Sequence, residues 1–286
     1  MDNPRLRMLR HAYAALDLPV CEQSRWNRDS VDAFLDLRYF RGDTLITWHY
    51  RESRRVTELK YFLFWRYVRE HDHLGLLDKL EEDGAFGCWT FSYPASGRIS
   101  RDLLQSVGEL SFLDRTIGLA NRPTLRILDI GAGYGRLAHR AGTAFNQLTE
   151  YCCVDAIPES TFLCEYYLNH RRLMPPCRIV PLHELDGALK PGSFDLAVNV
   201  HSFSECTHAA VTWWLEKLRS LRVPQLLLVP NEPTELLSLE ADGTRRDFLP
   251  QLEAAGYRLS VREPVIGDPA VRSLLRLEDQ FHLFER

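Results

Sequence analysis

Between positions 126 and 136 the chain reads Arg-Ile-Leu-Asp-Ile-Gly-Ala-Gly-Tyr-Gly-Arg, and some way downstream comes Cys153-Val154-Asp155. This is an apolar strand, a turn with glycines at 131, 133 and 135, a helix, and a second apolar strand that closes on an acid. Glycine tolerates positive φ without a Cβ clash, so a strand over 125–130 can reverse sharply into a helix over 136–147. A turn without side chains lets bare backbone lie against a ligand, and the helix behind it offers free N–H groups to a carboxylate. A chain that opens in this way is committed to an alternating α/β sheet with a ligand crevice at the carboxyl ends of its strands.

The glycine spacing separates two ligands. A dinucleotide fingerprint, Gly-x-Gly-x-x-Gly, would need glycine at 136, where this chain has Arg136. Here the pattern is Gly-x-Gly-x-Gly, with Asp129 two residues ahead of the first glycine. It resembles the first motif of class I S-adenosylmethionine-dependent methyltransferases, acid-x-Gly-x-Gly-x-Gly. The resemblance implies S-adenosylmethionine as the ligand, with NAD as the alternative. It implies that Asp129, Gly131, Ala132, Gly133 and Gly135 cradle the donor. Asp155 would fix its ribose beside Ala156, Leu182 or His183 would meet adenine, and Asn199 would stand close to the chemistry.

Composition narrows the surroundings. Apolar and charged fractions are ordinary for a globular protein, and a net charge of −4 leaves no broad basic footprint for nucleic acid. No apolar run approaches bilayer-spanning length and no signal-peptide pattern opens the chain, so a cytoplasmic protein away from membranes is expected. The 7 cysteines contain no Cys-x-x-Cys pair, which reads as free, buried thiols in a reducing compartment.

Two regions follow from the pattern. Residues 1–122 read as a mainly helical accessory or lid region, with helices over 29–38, 55–82 and 100–118 and an aromatic-anchored loop over 84–97. Residues 123–286 alternate: strands 125–130, 151–155, 177–181, 194–200, 225–229, 257–262 and 280–285, with helices 136–147, 158–171, 203–220 and 245–255. This predicts an α/β fold with a largely parallel, Rossmann-like sheet covered on both faces. Seven strands ending in two late ones resemble the class I methyltransferase sheet, whose last strand inserts antiparallel.

The end of the fourth of these strands reads Asn199-Val-His-Ser-Phe-Ser-Glu205, a stretch that in this family lies beside the transferred methyl group. The Asn/Asp-Pro-Pro-Tyr tetrapeptide usual in enzymes that methylate base amines is missing. His201 suits a hydroxyl acceptor: an imidazole titrating near about 6.5 can take the hydroxyl proton as the carbon–oxygen bond forms. Ser202-x-x-Glu205 also reads as a capping box at the start of helix 203–220, with a catalytic role for Glu205 the sharper alternative. Asn231 and Glu232, in Pro-Asn-Glu-Pro after the fifth strand, are expected over the same edge, with Glu232 a second candidate base and Asn231 a substrate contact.

Together with Ile-Ser-Arg-Asp-Leu-Leu-Gln-Ser-Val at 99–107, these motifs resemble bacterial sugar O-methyltransferases over residues 85–235. The resemblance implies a sugar or glycan hydroxyl as acceptor, roofed by the helical region, with Tyr93, Arg98 and Arg101 as contacts. Glu205, Glu232 and Asp155 are the only acids near enough for a divalent metal, and metal dependence stays open. His71-Asp72-His73 reads as a solvated helix segment. Trp213 and Trp214 on one helix cannot both face the core, which leaves room for a homo-oligomer surface. The alternatives are a small phenol or carboxylate as acceptor, or a donor-binding protein without turnover.

Overall fold

The computed structural model describes residues 3–21, 24–41, 54–232 and 235–286. The first part of the chain forms α1 (Pro4–Ala14), α2 (Arg28–Phe34), α3 (Arg54–His71), α4 (Leu76–Lys79), β1 (Phe91–Tyr93), β2 (Gly97–Ile99) and α5 (Arg101–Ile117). Next come β3 (Leu125–Ile130), α6 (Arg136–Ala144), β4 (Leu148–Val154), α7 (Pro158–His170), β5 (Cys177–Ile179) and α8 (Leu185–Ala188). The chain then forms β6 (Leu196–Val200), α9 (His208–Leu221), β7 (Gln225–Val229), α10 (Leu249–Ala254), β8 (Arg258–Pro264), α11 (Pro269–Leu275) and β9 (Gln280–Glu285).

Seven strands make one sheet in the order β5-β4-β3-β6-β7-β9-β8. β3 pairs in parallel with β4 on one side and β6 on the other, so the strand order reverses between β3 and β6. That reversal opens a crevice at the carboxyl ends of the strands. β9 runs antiparallel between β7 and β8, with Leu227 opposite Leu283 and Arg262 opposite His282. The sheet is of the Rossmann-like class I methyltransferase type. Its inner strands are mostly apolar, as in Leu226-Leu227-Leu228-Val229, because helices cover both faces.

Several boundaries differ from the sequence expectation, each for a local reason. The helix expected over 55–82 ends at His71, and Gly75 adopts a left-handed φ of +64°. The Asp72 carboxylate then accepts from the amides of Leu76 and Leu77, starting α4 anew. His71 therefore closes α3 while Asp72 and His73 lie beyond it, with His73 on Asp114 at 2.8 Å. The loop expected over 84–97 contains the β1–β2 hairpin, in which Phe91 faces Ile99. The capping box at Ser202–Glu205 does not form. Those residues make a single 3₁₀ turn, and α9 begins at His208 under the hydroxyl of Thr207, which accepts from Ala210 N. The helix expected from 245 begins at Leu249, and α11 was not anticipated.

The N-terminal region is tied to the sheet layer by charge and by packing. α1 lies on α7, where Arg5 pairs with Glu165 and Arg10 with Glu159 at 2.6 Å. The Tyr13 hydroxyl is 2.9 Å from Thr161 Oγ1. A buried cluster joins Arg41 and Arg140 to the Glu82 carboxylate, each at 2.7 Å. One continuous set of buried apolar side chains runs from Leu6 to Phe284, so the helical region and the sheet share a core.

Candidate functional site

The glycine turn lies at the strand-order reversal, and its three glycines do different things. All three have positive φ. A Cβ on Gly131 would stand 2.3 Å from Ser202, and one on Gly135 would stand 2.9 Å from Cys164 Sγ in α7. A Cβ on Gly133 would meet nothing within 4 Å. Gly131 thus lets the end of β6 approach, Gly135 lets α7 pack, and Gly133 opens onto free space. Arg136, where a dinucleotide fingerprint has its third glycine, makes a bidentate pair with Glu109 at 2.8 and 2.9 Å and ties α6 to α5.

Two cavities flank the turn and share Phe40, Gly131, Gly133, Tyr134 and Val200, so they form one groove. The first, of about 260 Å³, is bounded by Trp26, Asp155, Ala156, Ile157, Glu205 and Trp214. The second, of about 280 Å³, is bounded by Arg41, Arg101, Asp102, Gln105, Asp129, Ala132 and His201.

Of the two acids flanking the glycine turn, Asp155 lines the first cavity and Asp129 the second. Asp155 accepts from Gly133 N at 2.9 Å and from Ile157 N at 2.8 Å, which fixes its carboxylate plane. Burial pushes its pKa up to about 6, against the pull of those two amides. Asp129 accepts from the Tyr151 hydroxyl at 2.9 Å, and burial pushes it up to about 7.

His201 has a left-handed φ of +67°, and its backbone amide donates to Val229 O at 2.7 Å. That geometry turns its side chain into the groove, with Nε2 3.2 Å from Asp279 Oδ2 just ahead of β9. A carboxylate only accepts, so the proton of this bond lies on Nε2 and leaves Nδ1 as the ring's acceptor.

The other expected residues are distributed as follows. Glu205 reaches the groove, but Trp26 Nε1 donates to one oxygen at 2.6 Å and Asn231 Nδ2 to the other at 3.2 Å. Glu232 lines neither cavity and pairs with Arg245. Asn199 is buried, its amide bridging Ile130 O and Phe203 N. The amide of Leu182 donates to the Tyr13 hydroxyl, and the His183 ring packs edge-on against Tyr13 at 5.9 Å. Tyr93 donates to Glu58 O beside Trp65, and Arg98 donates to Asp83 O, both away from the groove. Arg101 lines it. Pro233 and Thr234, the rest of the loop after β7, lie outside the described residues.

Among the described residues no three His, Cys, Asp or Glu side chains cluster as a metal site. The acids considered for one are engaged elsewhere: Asp155 by amides, Glu205 by Trp26 and Asn231, Glu232 by Arg245. Five of the seven cysteines are buried, and none is joined to another. Trp214 is buried, with Trp213 packed edge-on to it at 4.8 Å beneath Lys217. Within the described residues no helix is long and apolar enough to cross a membrane.

The sequence reading missed Trp26, Phe40, Arg41, Asp102, Tyr134 and Asp279. Tyr134, inside the glycine motif, donates to Asp102 and could have been found from its position. The others carry no local signal. They arrive from the helical region or from the reversed strand.

Fold and groove together define a Rossmann-like α/β protein with the class I methyltransferase sheet. No family model matches the chain, and no curated protein matches it. Solved structures do. An S-adenosylmethionine-dependent methyltransferase from Aquifex aeolicus is 17% identical, with a TM-score of 0.42 over 56% of this chain and 81% of that one. One from Mesorhizobium loti is 15% identical, with a TM-score of 0.42 over 63% of this chain and 98% of its own. The [4+2]-cyclase SpnF is 15% identical, with a TM-score of 0.47 over 70% and 86%. These are likenesses of fold, and the chemistry is argued from the groove.

Proposed function

We propose that this protein is an S-adenosylmethionine-dependent O-methyltransferase whose acceptor is a hydroxyl, on a sugar or a glycoside. One observation carries the reading. His201, held by Asp279 at 3.2 Å, faces the same groove onto which the bare turn at Gly133 opens. The groove fits the donor: open backbone at Gly133, a fixed carboxylate at Asp155, apolar walls at Ile157 and Leu163, and the Arg101 guanidinium at the other end.

When bound, S-adenosylmethionine supplies an electrophilic methyl group. Asp155 accepts hydrogen bonds from vicinal hydroxyls, and Ile157 and Trp214 cover an aromatic ring and keep water from it. Arg101 meets a carboxylate. His201 Nδ1 takes the proton of the acceptor hydroxyl, and Asp279 holds the ring in the tautomer that can do so. Gln105 and Arg101 line the same cavity as His201, where an acceptor would be gripped.

Calorimetric titration with S-adenosylhomocysteine, with NADH in a parallel cell, tests the donor. Micromolar binding of the first alone is expected, and heat with NADH alone would overturn the assignment. His201→Ala should then cost roughly 10²–10⁴-fold in turnover with donor binding preserved. Asp279→Asn, which spares the ring but releases its tautomer, should lower kcat by about tenfold or more and leave KM nearly unchanged. A loss confined to KM would remove the positioning role.

A further inference from the structure

A separate cavity, of about 460 Å³, lies between α3, α5 and the segment that follows β8. It opens at the same sheet edge as the groove, and the two share a wall: Gln105 lines both. Val265 and Phe281, also in its lining, flank the residue that holds His201, since Val265 N donates to Asp279 O at 2.9 Å.

The lining has a definite chemistry. Phe64, Tyr67, Phe112 and Phe281 present four aromatic rings, with Phe112 and Phe281 stacked at 4.4 Å. Ser111 is 7% exposed, and its Oγ is buried with no hydrogen-bond partner among the described residues. A buried hydroxyl without a partner is an uncompensated cost unless a ligand atom meets it.

The helix that forms the floor points the same way. Gly108 sits in the interior of the 17-residue α5, where glycine is disfavoured relative to every residue but proline. A Cβ there would meet nothing within 4 Å, so packing does not require the glycine. Gly108, Ser111 and Phe112 share one helix face, and that face lines the cavity. Glycine here keeps the volume open.

We propose that this cavity binds an aryl ring of the acceptor, so that the methylated hydroxyl belongs to a phenol or an aryl glycoside rather than to a free sugar. The inference deepens the transfer reading and rests on it for the acceptor role. Most other polar groups of the lining are engaged, Arg115 with Glu263, His73 with Asp114 and His71 with Tyr67 O, so a free sugar would find few partners for its hydroxyls among the four rings. A flat apolar ring fills the space and leaves one polar atom for Ser111. Gln105 then marks the passage through which the hydroxyl reaches His201.

The experiment compares 2-naphthol, 2-naphthyl β-glucoside and methyl β-glucoside by calorimetry on the whole protein, with S-adenosylhomocysteine titrated alongside. Either naphthyl compound should bind at least about tenfold tighter than methyl β-glucoside. The tighter of the two names the source, phenol or aryl glycoside. Gly108→Leu, whose Cβ enters open space and whose side chain extends toward the cavity, should weaken naphthyl binding about tenfold or more and leave S-adenosylhomocysteine binding unchanged. Ser111→Ala, which keeps the volume, should weaken naphthalene-2,6-diol, whose second hydroxyl can meet Ser111, about fivefold and leave 2-naphthol nearly unaffected. Equal binding of naphthyl and methyl glucosides, or naphthyl binding undiminished in a folded Gly108→Leu protein, would overturn the proposal. Naphthyl binding lost in Gly108→Leu while the unsubstituted protein ignores S-adenosylhomocysteine would separate the two ideas: the ring site stands and its acceptor role falls.

Discussion

Trp26 donates its indole N–H to the Glu205 carboxylate at 2.6 Å, closing one side of the groove with a residue from the helical region and one from the end of β6. The other Glu205 oxygen accepts from Asn231 at 3.2 Å. With an N–H donor on each oxygen, Glu205 acts as a wall between the N-terminal region and the sheet edge, and His201 is the base in the proposed reaction.

This gives the first prediction. Glutamine at 205 still accepts from Trp26, and Asn231 can rotate its amide to restore the second bond. Glu205→Gln should therefore lower turnover less than about tenfold, against the 10²–10⁴-fold expected for His201→Ala. Steady-state kinetics of the two variants side by side decide between wall and base.

The glycine turn gives a second, graded prediction. Gly133→Ala introduces only left-handed strain, about 1–2 kcal/mol, because its Cβ enters open space. It should fold, with S-adenosylhomocysteine affinity reduced more than about tenfold. Gly135→Ala adds overpacking of about 1–3 kcal/mol against Cys164 and Leu168 to that strain. Its thermal midpoint should fall further than that of Gly133→Ala. Melting curves in the opposite order would contradict the division of labour among the glycines.

The pH dependence follows from two buried acids. Asp155 is raised to about 6, and hydroxyl donors favour its ionised form, so S-adenosylhomocysteine should bind more weakly as pH falls through about 6. Asp155→Asn should flatten that profile. For Asp129, raised to about 7, the folded state binds the proton more tightly than the unfolded chain does. Its contribution to stability is therefore present below the ordinary carboxylate pKa and is lost as pH rises from about 4 through about 7. His139 and His282, lowered by burial to about 3 and about 4, act in the opposite direction below about 6.5. Comparison of Asp129→Asn with the parent at pH 6 and pH 8 isolates the Asp129 share, since the histidine contribution, set by titration of the unfolded chain near about 6.5, is common to both proteins and cancels.

The buried charge cluster supplies the fourth prediction. Burial alone would raise the Glu82 pKa, yet Arg41 and Arg140 hold it at about 2. Glu82→Gln leaves two guanidiniums facing a neutral amide and should cost about 3–5 kcal/mol, seen in the denaturation midpoint. Because the folded pKa is depressed, the stability that Glu82 provides is present above the unfolded carboxylate pKa and lost as pH falls through about 2.

The sheet was largely legible in the sequence. β3, β7 and β9 begin and end where the sequence places them, because strands buried on both faces show as mostly apolar segments. The reversed last strand followed from the family resemblance. The helix starts were less legible: Ser202-x-x-Glu205 satisfies the capping pattern, yet Thr207 is the residue that caps α9. Of the groove, the motif residues Gly131, Gly133, Asp155 and His201 were readable because they are contiguous with strand ends. Trp26, Phe40 and Asp279 were not. Each reaches the groove by tertiary docking from a segment with no pattern of its own.

The docking of α1 on α7 has a consequence for biosynthesis. Leu6 and Leu9, fully covered in the finished protein, are translated long before the helix that helps to cover them; Arg5 and Glu165 are 160 positions apart. At roughly 5–20 residues per second, α1 leaves the ribosome about 8–30 s ahead of its partner. During that interval it is an amphipathic segment without a surface to rest on, and Trp26 has no Glu205 to meet. The nascent chain therefore passes through a stage with Leu6 and Leu9 uncovered, and the groove is completed only when its earlier-made wall folds back onto its later-made floor.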